Sequence, residues 1–92
     1  MIKTFKHKGL KAFFETGDVA GINPLHLKKL RIILESIDYA EQIGDLNFPN
    51  YRLHKLKGEL KEYWSIHVNG NYRITFKFDR KNAYELNYQD YH

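Results

Sequence analysis

An alternation of apolar and polar residues fills the last third of the chain, and it restricts the fold more than any other feature. In the first run, four apolar residues alternate with polar ones: Tyr72, Ile74, Phe76 and Phe78. A second run repeats the pattern with Tyr84, Leu86 and Tyr88. Strict alternation is typical of a β-strand with one buried and one open face. The sequence therefore predicts two strands joined by a polar turn, with these apolar residues facing a core.

Two further strands are predicted upstream of this pair. Residues 51–56 and 63–68 also alternate, and Asn69-Gly70 separates the second of these runs from the next by two residues, which is a strong hairpin signal. The expected arrangement is an antiparallel meander. Residues 2–5 are expected to add a short first strand to the sheet.

Helical spacing dominates the first half of the chain. Leu10, Phe13 and Phe14 predict a short helix that ends near Gly17. Asn23-Pro24 predicts the start of a second, longer helix, whose apolar stripe is Leu27, Leu30, Leu34 and Ile37. The whole chain is thus predicted to be one α+β domain, residues 1–92, with two N-terminal helices on one face of a mainly antiparallel sheet of four to five strands.

Charge and composition narrow the class of partner. The 92 residues include 15 Lys and Arg against 11 Asp and Glu, a net charge of +4, which favours an anionic partner such as nucleic acid. Cysteine is absent, which excludes disulfides and thiolate chemistry. The N-terminus does not read as a signal peptide and no stretch has membrane-spanning length, so we expect a cytoplasmic protein that does not bind membranes.

The open face of the predicted sheet concentrates polar and basic side chains. By parity it carries Arg52, His54, Arg73, Lys77, Asn87, Gln89 and Tyr91. Lys57 follows in the next turn, and Asp90 and His92 lie where the last strand ends. Cleavage of RNA by its own 2′-hydroxyl needs a base, an acid and positive charge on the phosphate. This face contains all three kinds of group, and its candidate RNA- and phosphate-binding residues are Arg52, Lys57, Arg73 and Lys77.

Histidine suits the proton-transfer roles because its ordinary pKa lies near neutrality. His54 and His92 are therefore the first candidates for general base and general acid, in either order. The alternative is that each is only a polar surface residue and that the Asp-Tyr-His ending is a frayed tail. The remaining histidines lack metal-ligand spacing and no phosphate-binding glycine loop occurs, so we expect neither a catalytic metal nor a cofactor.

Four segments of the chain resemble HigB toxins of the RelE/ParE superfamily. They are MIKTFKHKGLKAFFETG at the start, YRLHKLKG at 51–58, YWSIHVNGNYRITFKF at 63–78 and LNYQDYH at 86–92. Together they span nearly the whole chain in the order of the family. The resemblance implies a RelE-like fold, catalytic roles for His54, Asp90, Tyr91 and His92, and phosphate contacts from Lys57 and Arg73.

The resemblance also implies an activity and partners that composition and spacing do not. It implies a ribosome-dependent mRNA endonuclease that acts in the A site of the 70S ribosome, contacts rRNA and mRNA, and is held in check by a HigA-like antitoxin. One alternative is an inhibitor of DNA gyrase, as some ParE-type relatives are, which acts by binding without nuclease chemistry. A second alternative is a basic RNA-binding domain without activity.

Overall fold

The predicted α+β architecture is confirmed in a computed structural model, which describes residues 1–90. Helix α1 (Lys8–Thr16) and helix α2 (Leu27–Tyr39) precede four strands: β1 (His54–Lys55), β2 (Trp64–Asn69), β3 (Tyr72–Asp79) and β4 (Asn82–Asp90). The strands form one antiparallel sheet in the order β1-β2-β3-β4. The predicted meander is therefore present. Within residues 1–90, neither helix has the length and apolarity needed to cross a membrane.

The two predicted capping signals, Gly17 and Asn23-Pro24, lie at helix ends in the structure. The Nδ1 atom of His7 accepts the N–H of Leu10 at the start of α1, and Gly17 ends the helix with a φ of 81°. The side chain of Asn23 accepts the N–H of Leu25 and starts a 3-10 turn, Pro24–His26, that leads into α2. The predicted end of the first helix and the predicted start of the second are thus confirmed, whereas the cap from His7 was not predicted. Each cap satisfies backbone groups that a helix end leaves unpaired.

The core lies between the helices and one face of the sheet. It is built from the fully buried side chains of Leu10, Leu30, Ile33, Ile37, Ile66, Ile74, Phe76 and Leu86, among others. Burial of a side chain of this size stabilises the fold by roughly 1.5–3 kcal/mol. Since the helices cover only this face, the opposite face of the sheet is left for polar side chains.

The N-terminal segment pairs with the outer edge of β4, in parallel orientation. Isolated bridges join Ile2 to Ala83 and Phe5 to Leu86. The N–H of Lys3 donates to the carbonyl of Ala83 at 2.7 Å, and the N–H of Leu86 donates to the carbonyl of Thr4 at 3.1 Å. The segment thus joins the sheet as expected, although as two bridges rather than a continuous strand.

A β-bulge in β4 makes one prediction wrong. Thr75 pairs with Asn87, but Lys77 pairs with Tyr84, so Glu85 and Leu86 together lie opposite one residue of β3. The bulge shifts the parity of β4: Ala83 is fully buried, whereas Tyr84, predicted to face the core, is only half-buried and pairs with Lys77. Glu85 takes a φ of 55°, and its N–H donates to the hydroxyl of Thr4. A bulge of this kind redirects side chains.

Two boundaries also differ from prediction. The predicted strand over residues 51–56 is reduced to β1, because Pro49–Tyr51 forms a 3-10 turn and Arg52 adopts a φ of 47°. The hairpin turn is displaced by one residue: Asn69 pairs with Tyr72, and Gly70, with a φ of 56°, opens the turn. Glycine adopts this left-handed conformation without the clash that a Cβ atom causes.

The turn between β3 and β4 gives a test of backbone strain. Arg80 and Lys81 have φ values of 51° and 71°, which cost a residue with a Cβ atom roughly 1–2 kcal/mol. We expect Lys81→Gly to raise the free energy of unfolding by up to about 1 kcal/mol, since glycine's entropy cost of roughly 0.5–1 kcal/mol partly offsets the relief. Chemical denaturation measures the change.

The matched control is Lys61→Gly, at an exposed lysine with an ordinary φ of −60°. There glycine relieves nothing, so the substitution should lower the free energy of unfolding by roughly 0.5–1 kcal/mol. Changes of the same sign in the two variants would contradict the assignment of strain to the turn.

Candidate active site

His54 lies on the exposed edge strand β1 with its ring held by the backbone. Its Nδ1 atom is 2.9 Å from the carbonyl oxygen of Arg52. A carbonyl only accepts hydrogen bonds, so Nδ1 carries the hydrogen and the Nε2 atom of the neutral ring keeps its lone pair. His54 is thus oriented to accept a proton at Nε2 from a group on the open face.

Strand register places His54 and Arg73 on the same face. His54 pairs with Ser65, Ser65 with Thr75 and Thr75 with Asn87, which forms one row across the sheet. The next row contains His67, Arg73 and Gln89. From strand spacing and rise, the backbones of His54 and Arg73 lie roughly 12 Å apart. Two long side chains that converge over this distance can contact the same phosphate group.

His67 is a residue of this face whose place beside Arg73 the sequence analysis missed. It pairs directly with Arg73, and its Nε2–H donates to the carbonyl of Gly70 at 3.0 Å. The hairpin signal could have predicted this pair, because residues 67 and 73 are each three positions from Gly70 and therefore lie opposite each other across the turn. The face therefore presents a second imidazole next to the predicted phosphate-binding arginine.

Lys77, predicted to bind phosphate, lies in a group of paired charges that we call the Tyr63 cluster: Lys6, Glu62, Tyr63, Lys77 and Glu85. The Nζ atom of Lys77 is 3.1 Å from Glu85 and 3.7 Å from Glu62. The hydroxyl of Tyr63 donates to Glu85 at 2.7 Å, and the ammonium groups of Lys6 and Lys77 lie 4.9 and 5.2 Å from the Tyr63 ring centre.

The charges of the Tyr63 cluster reinforce one another. Hydrogen bonds from Tyr63 and Lys77 lower the pKa of Glu85, and the hydrogen bond to Glu85 raises the pKa of Lys77. Both groups therefore stay ionised near neutral pH. Two carboxylates balance the charge of Lys77, so it offers less to a phosphate than its place on the open face suggested.

Two other residues predicted to bind RNA phosphates, Arg52 and Lys57, flank β1 in exposed positions. Arg52 was predicted to lie on a strand, and this prediction is wrong. It lies in the left-handed turn before β1. Lys57 directly precedes the 3-10 turn Gly58–Leu60. Lys57 therefore remains close in the chain to His54, on the loop that borders the open face.

The predicted catalytic residues at the C-terminus are described only in part. Asp90 is exposed, ends β4 and pairs with Tyr72, whose ring packs on the helix side of the sheet. By register, Asp90 therefore projects from the face opposite Arg73. Tyr91 and His92 lie outside the described residues, so their predicted roles stay predictions.

Next to this strand end, a buried cluster joins His26 to Tyr88. The Nδ1 atom of His26 is 2.6 Å from the Tyr88 hydroxyl, and the His26 ring lies edge-on to Tyr72 with ring centres 4.7 Å apart. Burial lowers the pKa of His26, with a smaller contribution from Lys29, and burial also lowers the pKa of His7. Both shifts favour the neutral ring, in His26 as a buried side chain and in His7 as the partly buried cap of α1.

A metal site needs several His, Asp or Glu side chains close together. Across residues 1–90, no group of three His, Asp or Glu side chains is arranged to hold a metal ion.

The sheet, its helix-covered face and this open basic face define a small RelE-like toxin domain. The family model described as the RelE-like toxin of type II toxin-antitoxin system HigB matches residues 3–92. The chain is 51% identical to Endoribonuclease HigB of Proteus vulgaris over 92 residues, all of both chains. It is 35% identical to Toxin HigB-1 of Vibrio cholerae over 80 residues, or 85% of this chain and 84% of that protein. The chain belongs to the HigB-like toxin family.

Solved structures agree with the fold. The YoeB-YefM complex from Staphylococcus aureus contains a chain that matches 97% of this one and 95% of its own length, with a TM-score of 0.59 and 23% identity. Protein HP0894 from Helicobacter pylori matches 97% of this chain and 96% of its own, with a TM-score of 0.51 and 16% identity. At these identities the similarity establishes the fold alone.

The lowered pKa values of His26 and His7 predict a stability that depends on pH. A histidine with a lowered pKa in the folded state takes up protons more readily when unfolded, so the free energy of unfolding should fall as pH drops below about 6.5. The carboxylates with lowered pKa, Asp45 and Glu85, titrate at lower pH. Denaturant unfolding between pH 7 and pH 5 therefore reports on the histidines.

Two variants separate the protonation of His26 from its hydrogen bond to Tyr88. His26→Phe should lose roughly 1–3 kcal/mol at pH 7, because the Tyr88 hydroxyl keeps only the N–H of Asn23 as a partner, but its stability should decline less steeply towards pH 5. Tyr88→Phe removes the same hydrogen bond and keeps the titrating ring, so it should retain the wild-type decline. A wild-type decline in His26→Phe would show that His26 is not a source of the pH dependence.

Proposed function

We propose that this toxin is a ribosome-dependent endoribonuclease that cleaves mRNA in the ribosomal A site without a metal ion. The observation that supports the proposal is the position of His54, which lies on the same face of the sheet as Arg73 and whose Nδ1 atom is held by the Arg52 carbonyl. An endoribonuclease is also what the name of the Proteus vulgaris relative states. The proposal transfers that activity to this chain and adds the ribosome as the place of cleavage.

In the proposed reaction the RNA supplies its own nucleophile. His54 removes the proton of a 2′-hydroxyl, whose oxygen then forms a bond to the adjacent phosphorus while the bond to the 5′-oxygen of the next nucleotide breaks. His92 gives a proton to that leaving oxygen. Arg73 and Lys57 stabilise the negative charge that develops on the phosphate oxygens. The products are a 2′,3′-cyclic phosphate and a free 5′-hydroxyl.

The remaining predicted residues act on positioning. Tyr91 orients the substrate and Asp90 orients a neighbouring side chain, whereas Arg52 and Lys77 contribute to the electrostatic attraction of RNA. Glu62 and Glu85 pair with Lys77, which reduces the charge that Lys77 offers to RNA. The site has few groups that could position an RNA chain. The ribosome therefore supplies the orientation that brings the 2′-oxygen in line with the bond from phosphorus to the leaving 5′-oxygen.

The partners follow from the family and from the site. A HigA-like antitoxin is the proposed inhibitor, in line with the type II toxin-antitoxin system in the description of the matched family model. The 70S ribosome, through its rRNA, and mRNA are the proposed targets, and they place the activity in the cytoplasm. A gyrase inhibitor would need neither His54 nor His92 for proton transfer, so substitutions of these residues distinguish that alternative.

Substitutions in the site should abolish cleavage without loss of fold. His54→Ala and His92→Gln each remove a proton-transfer group, which is worth roughly 10²–10⁴-fold in rate. Arg73→Ala removes charge from the transition state, for a loss of roughly 10²–10³-fold. Single-turnover cleavage of mRNA on programmed ribosomes measures each rate, and growth arrest on expression should disappear in parallel.

Arg31→Ala is the matched control for Arg73→Ala, because Arg31 is exposed on α2, away from the open face. It should cleave mRNA within a few-fold of wild type. If His54→Ala and His92→Gln arrest growth as strongly as wild type, the toxicity does not come from nuclease chemistry and the gyrase alternative gains support.

A second prediction concerns the substrate. Purified wild-type protein should cut mRNA in the A site of programmed ribosomes and leave the same RNA intact when it is free in solution. Chelators added after ribosome assembly should not change the rate, and rising salt should weaken ribosome binding because the contacts are ionic. Rapid and site-specific cleavage of free RNA would overturn the ribosome dependence.

A further inference from the structure

Helix α2 carries a row of exposed apolar side chains on the side that faces away from the core. Ile32 and Tyr39 are 52% and 80% exposed, and Leu25, in the turn that runs directly into the helix, is 84% exposed. The three residues follow one another at intervals of seven, and we call them the α2 stripe. Seven residues make almost two full turns of a helix, so these side chains lie nearly in line over about 21 Å.

The core side of the same helix is complete without the α2 stripe. Its buried residues are Leu30, Ile33, Leu34 and Ile37. Single apolar residues on a surface need no explanation, but a row at intervals of seven is the pattern by which one helix packs along another. A second helix laid along α2 would bury all three residues of the stripe.

A lysine and a glutamate flank the α2 stripe on one side. Lys28 lies four residues before Ile32 and Glu35 three residues after it, which places both roughly 40–60° to the same side of Ile32 around the helix axis. Both are exposed, and within residues 1–90 neither forms an ion pair. The two charges are therefore opposite in sign and almost equally distant from Ile32 along the helix.

This arrangement of charge is complementary to itself when the second helix runs antiparallel. Lys28 of one copy then lies opposite Glu35 of the other, and on the far side of the stripe Lys29 lies opposite Ser36. In the parallel orientation Lys28 would instead meet Lys29 of the second copy, and like charges would repel. A second copy of this chain therefore fits the stripe in one orientation.

We propose that α2 is the interface of a homodimer, in which two copies pack these helices antiparallel along the α2 stripe. A twofold axis passes beside Ile32, which meets Ile32 of the second copy, and Leu25 packs beside Tyr39 of the second copy. Symmetry repeats every contact, so the ion pair between Lys28 and Glu35 forms twice. The single chain makes neither of these two ion pairs.

The interface is small, and the dimer is therefore weak. A contact between two helices over about 21 Å buries less than the roughly 800 Å² per partner of a standard interface. We expect a dissociation constant on the order of 100 μM. Since the helices cover the face of the sheet opposite the open face, the dimer turns both open faces outward. The inference therefore does not depend on the nuclease function.

Paired charge reversals test the interface and its orientation. Sedimentation velocity of the wild type, from about 10 μM to about 1 mM, should show a shift from the mass of one 11.0 kDa chain towards that of two. Lys28→Glu and Glu35→Lys each place like charges opposite one another, so each should dimerise about tenfold more weakly or worse. An equal mixture of the two variants restores both ion pairs and should dimerise as strongly as the wild type.

Lys61→Glu is the matched control, because it makes the same change of charge at an exposed residue of the loop before β2. It should dimerise as the wild type does. Thermal unfolding of each variant confirms that it is folded. If the wild type remains a single chain at about 1 mM, or if the mixture is no more dimeric than either variant alone, the antiparallel dimer is wrong.

A thiol at the twofold axis tests the register independently. The chain has no cysteine, so Ile32→Cys carries a single thiol that should meet its own copy and form an intermolecular disulfide with oxidised glutathione. Arg31→Cys, about 100° around the helix from Ile32, should not. Equal cross-linking of the two variants would contradict the register. A monomeric wild type whose Ile32→Asp variant fails to bind a HigA-like antitoxin would assign the α2 stripe to that partner and overturn the dimer.

Discussion

The open face of the sheet depends on the bulge that places Glu85 and Leu86 opposite a single residue of β3. On the C-terminal side of the bulge, Arg73 pairs with Gln89 and Thr75 with Asn87, so the polar residues share one face. On the other side, Ala83 turns into the core and Tyr84 out of it. Without the extra residue, one half of β4 would present its apolar side chains to solvent, because a one-residue slip reverses every side chain of a strand.

The same bulge divides the charges of the open face into two regions. Glu85 forms ion pairs with Lys6 and Lys77 and accepts a hydrogen bond from Tyr63. Arg73 pairs with Gln89 on the C-terminal side of the bulge, and His54, whose ring is held by the Arg52 carbonyl, lies on the same face.

Sequence patterns predicted the helices, the order of the strands and the faces of His54 and Arg73, because capping and alternation are local properties. They did not predict the bulge, since the spacing of Ala83, Leu86 and Tyr88 becomes meaningful only when the partner strand is known. Nor did they predict that Lys77 pairs with Glu62 and Glu85. Parity indicates that a lysine reaches the open face, but its partners come from another strand and a loop. Arg52 was misplaced because a left-handed residue interrupts the alternation.

The central claim is that mRNA is cut on the sheet face that carries His54 and Arg73. The most direct measurement is a structure of the wild-type toxin on a 70S ribosome whose mRNA carries a 2′-O-methyl group at the cut position, which blocks attack. The account predicts that the scissile phosphate lies within hydrogen-bond distance of Arg73 and that the methylated 2′-oxygen faces Nε2 of His54. An mRNA bound to the helix side, with the open face turned to solvent, would contradict it.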